Sequence, residues 1–130
     1  MSDSRSNYEI LVVEDTPEMA QLTLLSLERG GFKGIHAEDG ETAMKYLEDT
    51  KPDLILLDLN LPGVSGWDVM KYIVEHHGTG TIPVIVTTAY GDSTNKVIGK
   101  LQNVYKYLVK PFKPTELIAT VEEALGLSAT

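Results

Sequence analysis

Five short apolar runs, Ile10–Val13, Gly34–Ala37, Leu54–Leu57, Ile82–Val86 and Tyr105–Val109, alternate along the chain with segments of helical spacing. The spacing predicts helices over 17–29, 40–49, 65–76, 92–101 and 114–125. In the last of these, Leu117, Ile118, Val121, Ala124 and Leu125 share one stripe, with Glu116, Glu122 and Glu123 outside it. Thr16-Pro17-Glu18 is a helix start: a capping hydroxyl, a preset φ and an acid at the positive end of the dipole. Gly30-Gly31 stops that helix. Its leucines spread over several faces, and Gly91 and Gly99 weaken the helix over 92–101.

Strict alternation of strand and helix implies a parallel sheet covered on both faces. Strands buried on both faces are continuously apolar, whereas edge strands are not. Ile10-Leu11-Val12-Val13, Leu54-Ile55-Leu56-Leu57 and Val84-Ile85-Val86 therefore belong in the centre. Gly34-Ile35-His36-Ala37 and Tyr105-Lys106-Tyr107 belong at the edges. This fits a doubly wound α/β sandwich of strand order 2-1-3-4-5, the flavodoxin-like winding, whose ligand site lies beyond the carboxyl ends of strands 1 and 3.

Length sets one domain, assigned to residues 8–127, with polar residues 1–7 and 128–130 as tails, the first expected to be frayed and disordered. No apolar run approaches a membrane span, and no basic-then-apolar signal peptide opens the chain. The absence of Cys excludes disulfides and thiolate metal sites and is compatible with a reducing cytoplasm. A net charge of −8 argues against direct nucleic-acid binding. The charge is uneven: residues 1–95 hold 16 acids and 6 bases, residues 96–130 hold 3 acids and 5 bases. Ordinary surface charge would give this, as would a cation site early in the chain and a partner-facing surface later.

The predicted strand ends gather a particular set of side chains. Glu14 and Asp15 follow strand 1, Asp58 and Asn60 strand 3, Thr87, Thr88 and Ala89 strand 4, and Lys110 and Pro111 strand 5. Taken singly, each has a plain explanation: Asp15 a helix cap, Thr88 and Asn60 turn residues, Lys110 a solvated charge. Together they are chemistry. Clustered carboxylates must be protonated, paired or holding a cation, and an oxygen-only set suits Mg2+. Lys110 could bind a phosphoryl oxygen, the Thr88 hydroxyl could donate to another, and an Asp carboxylate is a competent nucleophile towards phosphorus. His36, in an edge strand, and His76-His77, ending a helix, read as surface groups.

Four segments in order, Leu11-Val12-Val13-Glu14-Asp15, Pro52-Asp53 through Asp58-Leu59-Asn60-Leu61-Pro62-Gly63 to Gly66, Val86-Thr87-Thr88-Ala89, and Tyr107-Leu108-Val109-Lys110-Pro111-Phe112, resemble response-regulator receiver domains. The resemblance runs from about Ile10 to Leu125. It implies that Asp58 is the phosphoacceptor, and that Glu14, Asp15, Asp58 and the backbone carbonyl of Asn60 hold Mg2+. It further implies that Thr88, Ala89 and Lys110 contact the phosphoryl group, that Thr88 and Tyr107 form the switch, and that the peptide preceding Pro111 is cis. Departures from the commonest family pattern are Glu14 in place of Asp, Tyr90 two residues after the switch Thr, Asn103-Val104 in place of a Gly-Ala pair, and Gly99.

The resemblance also implies a sensor histidine kinase or phosphotransfer protein as donor and a cytoplasmic location. Output would pass to a downstream protein or to an output domain outside this sequence. Assembly would be monomeric or a weak, phosphorylation-dependent dimer. The switching face would comprise the segments 92–101, 105–109 and 114–125, where Lys96, Lys100, Lys106 and Lys113 favour an acidic partner. No turnover enzyme is expected, only phosphotransfer to and from the chain itself. An aspartate-nucleophile phosphatase needs a general acid where Asn60 stands. A nucleotide carrier needs a Gly-rich loop where Glu14 and Asp15 stand. A pseudo-receiver would not need the acid pair, Asp58, Thr88 and Lys110 together.

Overall fold

A computed structural model describes residues 3–78, 81–89 and 104–127. The strands are β1 (Glu9–Val13), β2 (Lys33–Ala37), β3 (Leu54–Asp58), β4 (Val84–Ala89) and β5 (Lys106–Lys110). The described helices are α1 (Pro17–Arg29), α2 (Gly40–Asp49), α3 (Gly66–His77) and α4 (Pro114–Leu125). The helix expected over 92–101 lies outside the described residues. All neighbouring strands pair in parallel, in the order β2-β1-β3-β4-β5. This is the doubly wound, flavodoxin-like arrangement that the apolar runs predict.

The two-residue period of a strand divides the core into two layers. Leu11, Val13, Ile55, Leu57, Val84 and Val86 face α2 and α3, packing on Ala43, Leu47, Val69, Met70 and Ile73. Ile10, Val12, Leu54, Leu56, Ile85 and Leu108 face the other way, onto Leu27, Phe32, Leu117 and Val121. Because β1 and β3 are covered on both faces, a slip of either would draw a flanking charge, Glu14 or Asp58, into an apolar layer. That fixes the heights at which Glu14 and Asp58 emerge.

Helix ends depart from expectation in one respect. Thr16 occupies the N-cap of α1 with extended backbone, but its side chain makes no capping bond, so Pro17 and Glu18 carry the start signal. At α3, Ser65 and Asp68 form a reciprocal capping box. Strand boundaries also shift. Asp58, Thr87, Thr88, Ala89 and Lys110 are the last rungs of their strands rather than residues of the loops beyond. They are held by the ladder.

The amino-terminal segment corrects the expectation of a frayed tail. Asp3–Asn7 form a 3-10 turn. The Arg5 guanidinium donates to Glu122 at 2.7 Å and to the Gly30 carbonyl at 3.1 Å, and lies 5.1 Å from the Phe32 ring centroid. Glu122, expected on the polar side of its helix, is buried by this clasp. Arg5→Ala should therefore cost about 2 kcal/mol in urea denaturation, because it strands a mostly buried carboxylate. Glu122→Gln, which still accepts from Arg5, should cost less. Equal stability of Arg5→Ala and the parent would show the clasp to be energetically idle.

Candidate phosphoacceptor site

The site forms where the winding reverses, between β1 and β3, at the carboxyl ends of the strands. Asp58 closes β3 opposite Thr87 of β4 and is 5 % exposed, and Glu14, one residue past β1, is 4 % exposed. Two buried carboxylates at one sheet edge need a counter-charge, and β5 supplies it. The Lys110 ammonium donates to Glu14 Oε1 at 2.8 Å and to Asp58 Oδ2 at 3.1 Å. The remaining oxygens are taken by backbone. Asn60 N–H donates to Asp58 Oδ1 at 2.9 Å, and Thr16 N–H to Glu14 Oε2 at 3.2 Å. The Lys110–Pro111 peptide is cis.

These contacts set the electrostatics. Burial pushes the Glu14 carboxyl above its ordinary range, and the ammonium of Lys110 opposes that shift without cancelling it. Burial alone would lower Lys110, but its hydrogen bond to Glu14 and the charges of Asp58 and Glu14 outweigh that effect and raise the ammonium's pKa. One ammonium serves two carboxylates. Asp15, the most solvent-open of the three acids, is engaged by neither hydrogen bond nor ion pair among the described residues.

Glu14, Asp15 and Asp58 each offer a carboxylate oxygen, and these oxygens all lie within 4.8 Å of one another. An oxygen-only set with excess negative charge fits Mg2+, which takes few carboxylates and completes its shell with water or phosphoryl oxygens. Thr88 is fully buried on β4, opposite Val109. Ala89 pairs with Lys110 through the ladder. Tyr107 lies on the outer strand opposite Val86 and is 45 % exposed. Lys106 pairs with Glu123 at 3.7 Å, whereas Lys96 and Lys100 lie outside the described residues.

Glycine makes the closest approach in the site possible. A Cβ at Gly66 would stand 2.6 Å from Leu59 Cα and 2.7 Å from the Asp58 carbonyl oxygen. The first turn of α3 thus packs directly against the backbone of the phosphoacceptor candidate. One contact was not legible in the sequence: exposed His36, on the edge strand, bonds through Nε2 to the Glu14 carbonyl oxygen at 2.8 Å. A polar residue in an edge strand carries no signal of such reach.

Comparison with known proteins agrees with this geometry. The family model of the response regulator receiver domain matches residues 10–122. The phosphate regulon transcriptional regulatory protein PhoB of Escherichia coli (strain K12) is 39 % identical over 116 residues, covering 89 % of this chain and 51 % of PhoB. The DNA-binding response regulator MtrA of Mycolicibacterium smegmatis is 38 % identical over 116 residues, 89 % of this chain and 50 % of MtrA. The chain spans about half the length of the curated relatives it matches. Among solved structures, a response regulator from Chloroflexus aurantiacus J-10-fl superposes with a TM-score of 0.83 at 33 % identity, covering 92 % of this chain and 98 % of that one. The receiver domain of the sensor histidine kinase PA1611 from Pseudomonas aeruginosa PAO1 has a magnesium ion coordinated in its active-site cleft. It superposes with a TM-score of 0.83 at 28 % identity, with the same coverage of each chain. With its sheet order, its acid cluster and this match over most of its length, the chain belongs to the response regulator receiver domains.

Proposed function

We propose that the chain accepts a phosphoryl group on Asp58, in a Mg2+-dependent reaction, from a histidine kinase or a histidine-containing phosphotransfer protein. The observation that carries this reading is the bridging of buried Asp58 and Glu14 by Lys110, with Asp15 beside them. Glu14, Asp15, Asp58 and the backbone carbonyl of Asn60 would hold the cation. Mg2+, when bound, neutralises charge that develops on the phosphoryl oxygens. Asn60 N–H orients the Asp58 carboxylate through Oδ1. An Asp58 oxygen forms the new bond to phosphorus as the donor's bond to phosphorus breaks, in line. Lys110, anchored on the last rung of β5, is within reach to take a phosphoryl oxygen.

Hydrolysis of the acyl phosphate would return the chain to its starting state without turnover of a free substrate. Asn60 at the position of a phosphatase's general acid cannot supply and recover a proton as a carboxyl does. Incubation with a small phosphodonor and Mg2+ should add the mass of one phosphoryl group to the intact protein. Asp58→Asn should show none. Equal labelling of that variant would remove Asp58 from the role.

Output would follow from the added charge. A phosphoryl group on Asp58 presents acceptor oxygens towards Thr88, whose hydroxyl would move to donate and leave space behind β4. Tyr107, now outward, would turn in to fill it and alter the surface around β5 and α4. A phosphate mimic should then shift the Tyr107 ring resonances upfield. A ring unmoved at full occupancy of Asp58 would place the switch on another face. The receiver would act in the cytoplasm, where kinase and donor reside. Among the described residues no helix is long and apolar enough to cross a membrane. Output would reach a protein partner or, as the name of MtrA suggests for that protein, a DNA-binding segment of the same polypeptide.

A further inference from the structure

The structure assigns His36 as a positioning residue for the acid pair: its Nε2–H holds the Glu14 carbonyl and thereby fixes the turn that presents Asp15. The inference rests on the reading of Glu14 and Asp15 as cation ligands. β1 and β2 run in register from Glu9 opposite Lys33 to Val13 opposite Ala37. One further backbone bond, from Glu14 N–H to the Ala37 carbonyl at 3.1 Å, extends the pairing past that rung. There the strands part. The chain after β1 turns into α1 at Pro17, and the chain after β2 turns into α2, which Asp39 caps by accepting from Thr42 N–H at 2.7 Å.

The Glu14 carbonyl thus reaches the end of the ladder with no backbone donor to meet it among the described residues. The His36 ring meets it at 2.8 Å, from a strand position opposite Val12. A carbonyl oxygen only accepts, so the ring nitrogen facing it carries the proton. Both backbone polar groups of Glu14 are then tied to β2, its N–H by the Ala37 carbonyl and its C=O by His36. The next residue is Asp15, whose backbone N–H belongs to the very peptide His36 holds. Fixing that peptide limits the directions in which the Asp15 carboxylate can leave the chain. Glu14 is separately anchored by Lys110 and by Thr16 N–H. Asp15 has no such anchor among the described residues, so its aim depends on the peptide before it.

An alternative is that an exposed histidine simply satisfies a carbonyl that water would satisfy equally well. The two differ in what a substitution moves. His36 is exposed, so removing it should leave the unfolding midpoint within a degree or so in either case. If His36 positions the pair, His36→Leu should broaden and shift the Asp15 and Thr16 amide resonances in metal-free protein. It should also raise the Mg2+ concentration needed for half-maximal labelling of Asp58 by about tenfold, as loss of an orienting partner typically does, while the rate at saturating Mg2+ stays near the parent's. His36→Gln, whose amide can donate to the same carbonyl, should restore both. Unchanged Asp15 and Thr16 resonances in His36→Leu, or no rescue by Gln, would overturn the inference. Parent protein that neither binds Mg2+ nor labels would overturn the phosphoacceptor reading first and take this inference with it. That outcome is visible before any His36 variant is made.

Discussion

Mg2+ titrated into Asp15→Ala should give no saturable response, and labelling of Asp58 should fall by on the order of a hundredfold. The argument rests on how the three acids are already used. Lys110 engages Glu14 and Asp58, and backbone amides take their second oxygens. Asp15 is the acid left with both oxygens unclaimed among the described residues, within 4.8 Å of the other two. Removing it takes away the carboxylate most available to a cation and halves the formal excess of negative charge, leaving two carboxylates that share the Lys110 ammonium. The fold should not suffer. Asp15 is the most solvent-open of the set, and its loss relieves repulsion among like charges. Thermal unfolding of metal-free Asp15→Ala should match or slightly exceed the parent, separating loss of chemistry from loss of structure. A variant that titrates and labels like the parent would move the cation site elsewhere.

The fold was legible because burial on both faces leaves a mark in the sequence. Ile10–Val13 and Leu54–Leu57 contain no polar residue, and that continuity placed β1 and β3 centrally and settled the strand order. Edges were read less well. Pro83 cannot donate to a ladder, so β4 starts at Val84 rather than Ile82. Hydrophobicity stops before pairing does, so the polar ends of β3, β4 and β5 look like loop in the sequence. The Arg5–Glu122 clasp spans 117 positions and belongs to no local period, so neither partner announced it.

The site divides the same way. Acids and an amine at successive strand ends could be assembled once the winding was known, since a parallel sheet sends all carboxyl ends to one edge. The distribution of Lys110 between Glu14 and Asp58 could not, because it depends on the length of one side chain against two fixed backbones. The sequence places His36 on the surface, where it does lie, but strand parity says nothing about a ring reaching over a neighbour's last rung. Gly66 was visible as part of a motif, yet its reason was not. The distances supply it.

Gly66→Ala should destabilise the protein by about 2 kcal/mol and slow labelling of Asp58 by tenfold or more. Two effects compete. Alanine is the better helix former by about 1 kcal/mol, and Gly66 opens α3, so on propensity alone the substitution would help. Against this, the new Cβ would stand 2.6 Å from Leu59 Cα and 2.7 Å from the Asp58 carbonyl oxygen. Neither is the far end of a flexible side chain. One is the backbone of the residue after Asp58 and the other is the peptide of Asp58 itself, so relief requires α3 or the end of β3 to move. Displacement of Asp58 by a few tenths of an ångström disturbs its bonds to Asn60 N–H and Lys110, which in the proposed reaction would define the direction of attack. Gly63→Ala is the matched control. Gly63 has φ +69° and nothing within 4 Å of a built Cβ, so alanine there pays about 1–2 kcal/mol for a left-handed backbone without touching Asp58. Urea denaturation should place the two variants close together, while labelling at saturating Mg2+ should separate them. If Gly66→Ala labels as fast as Gly63→Ala, the packing of α3 against β3 is structural only and does not aim Asp58.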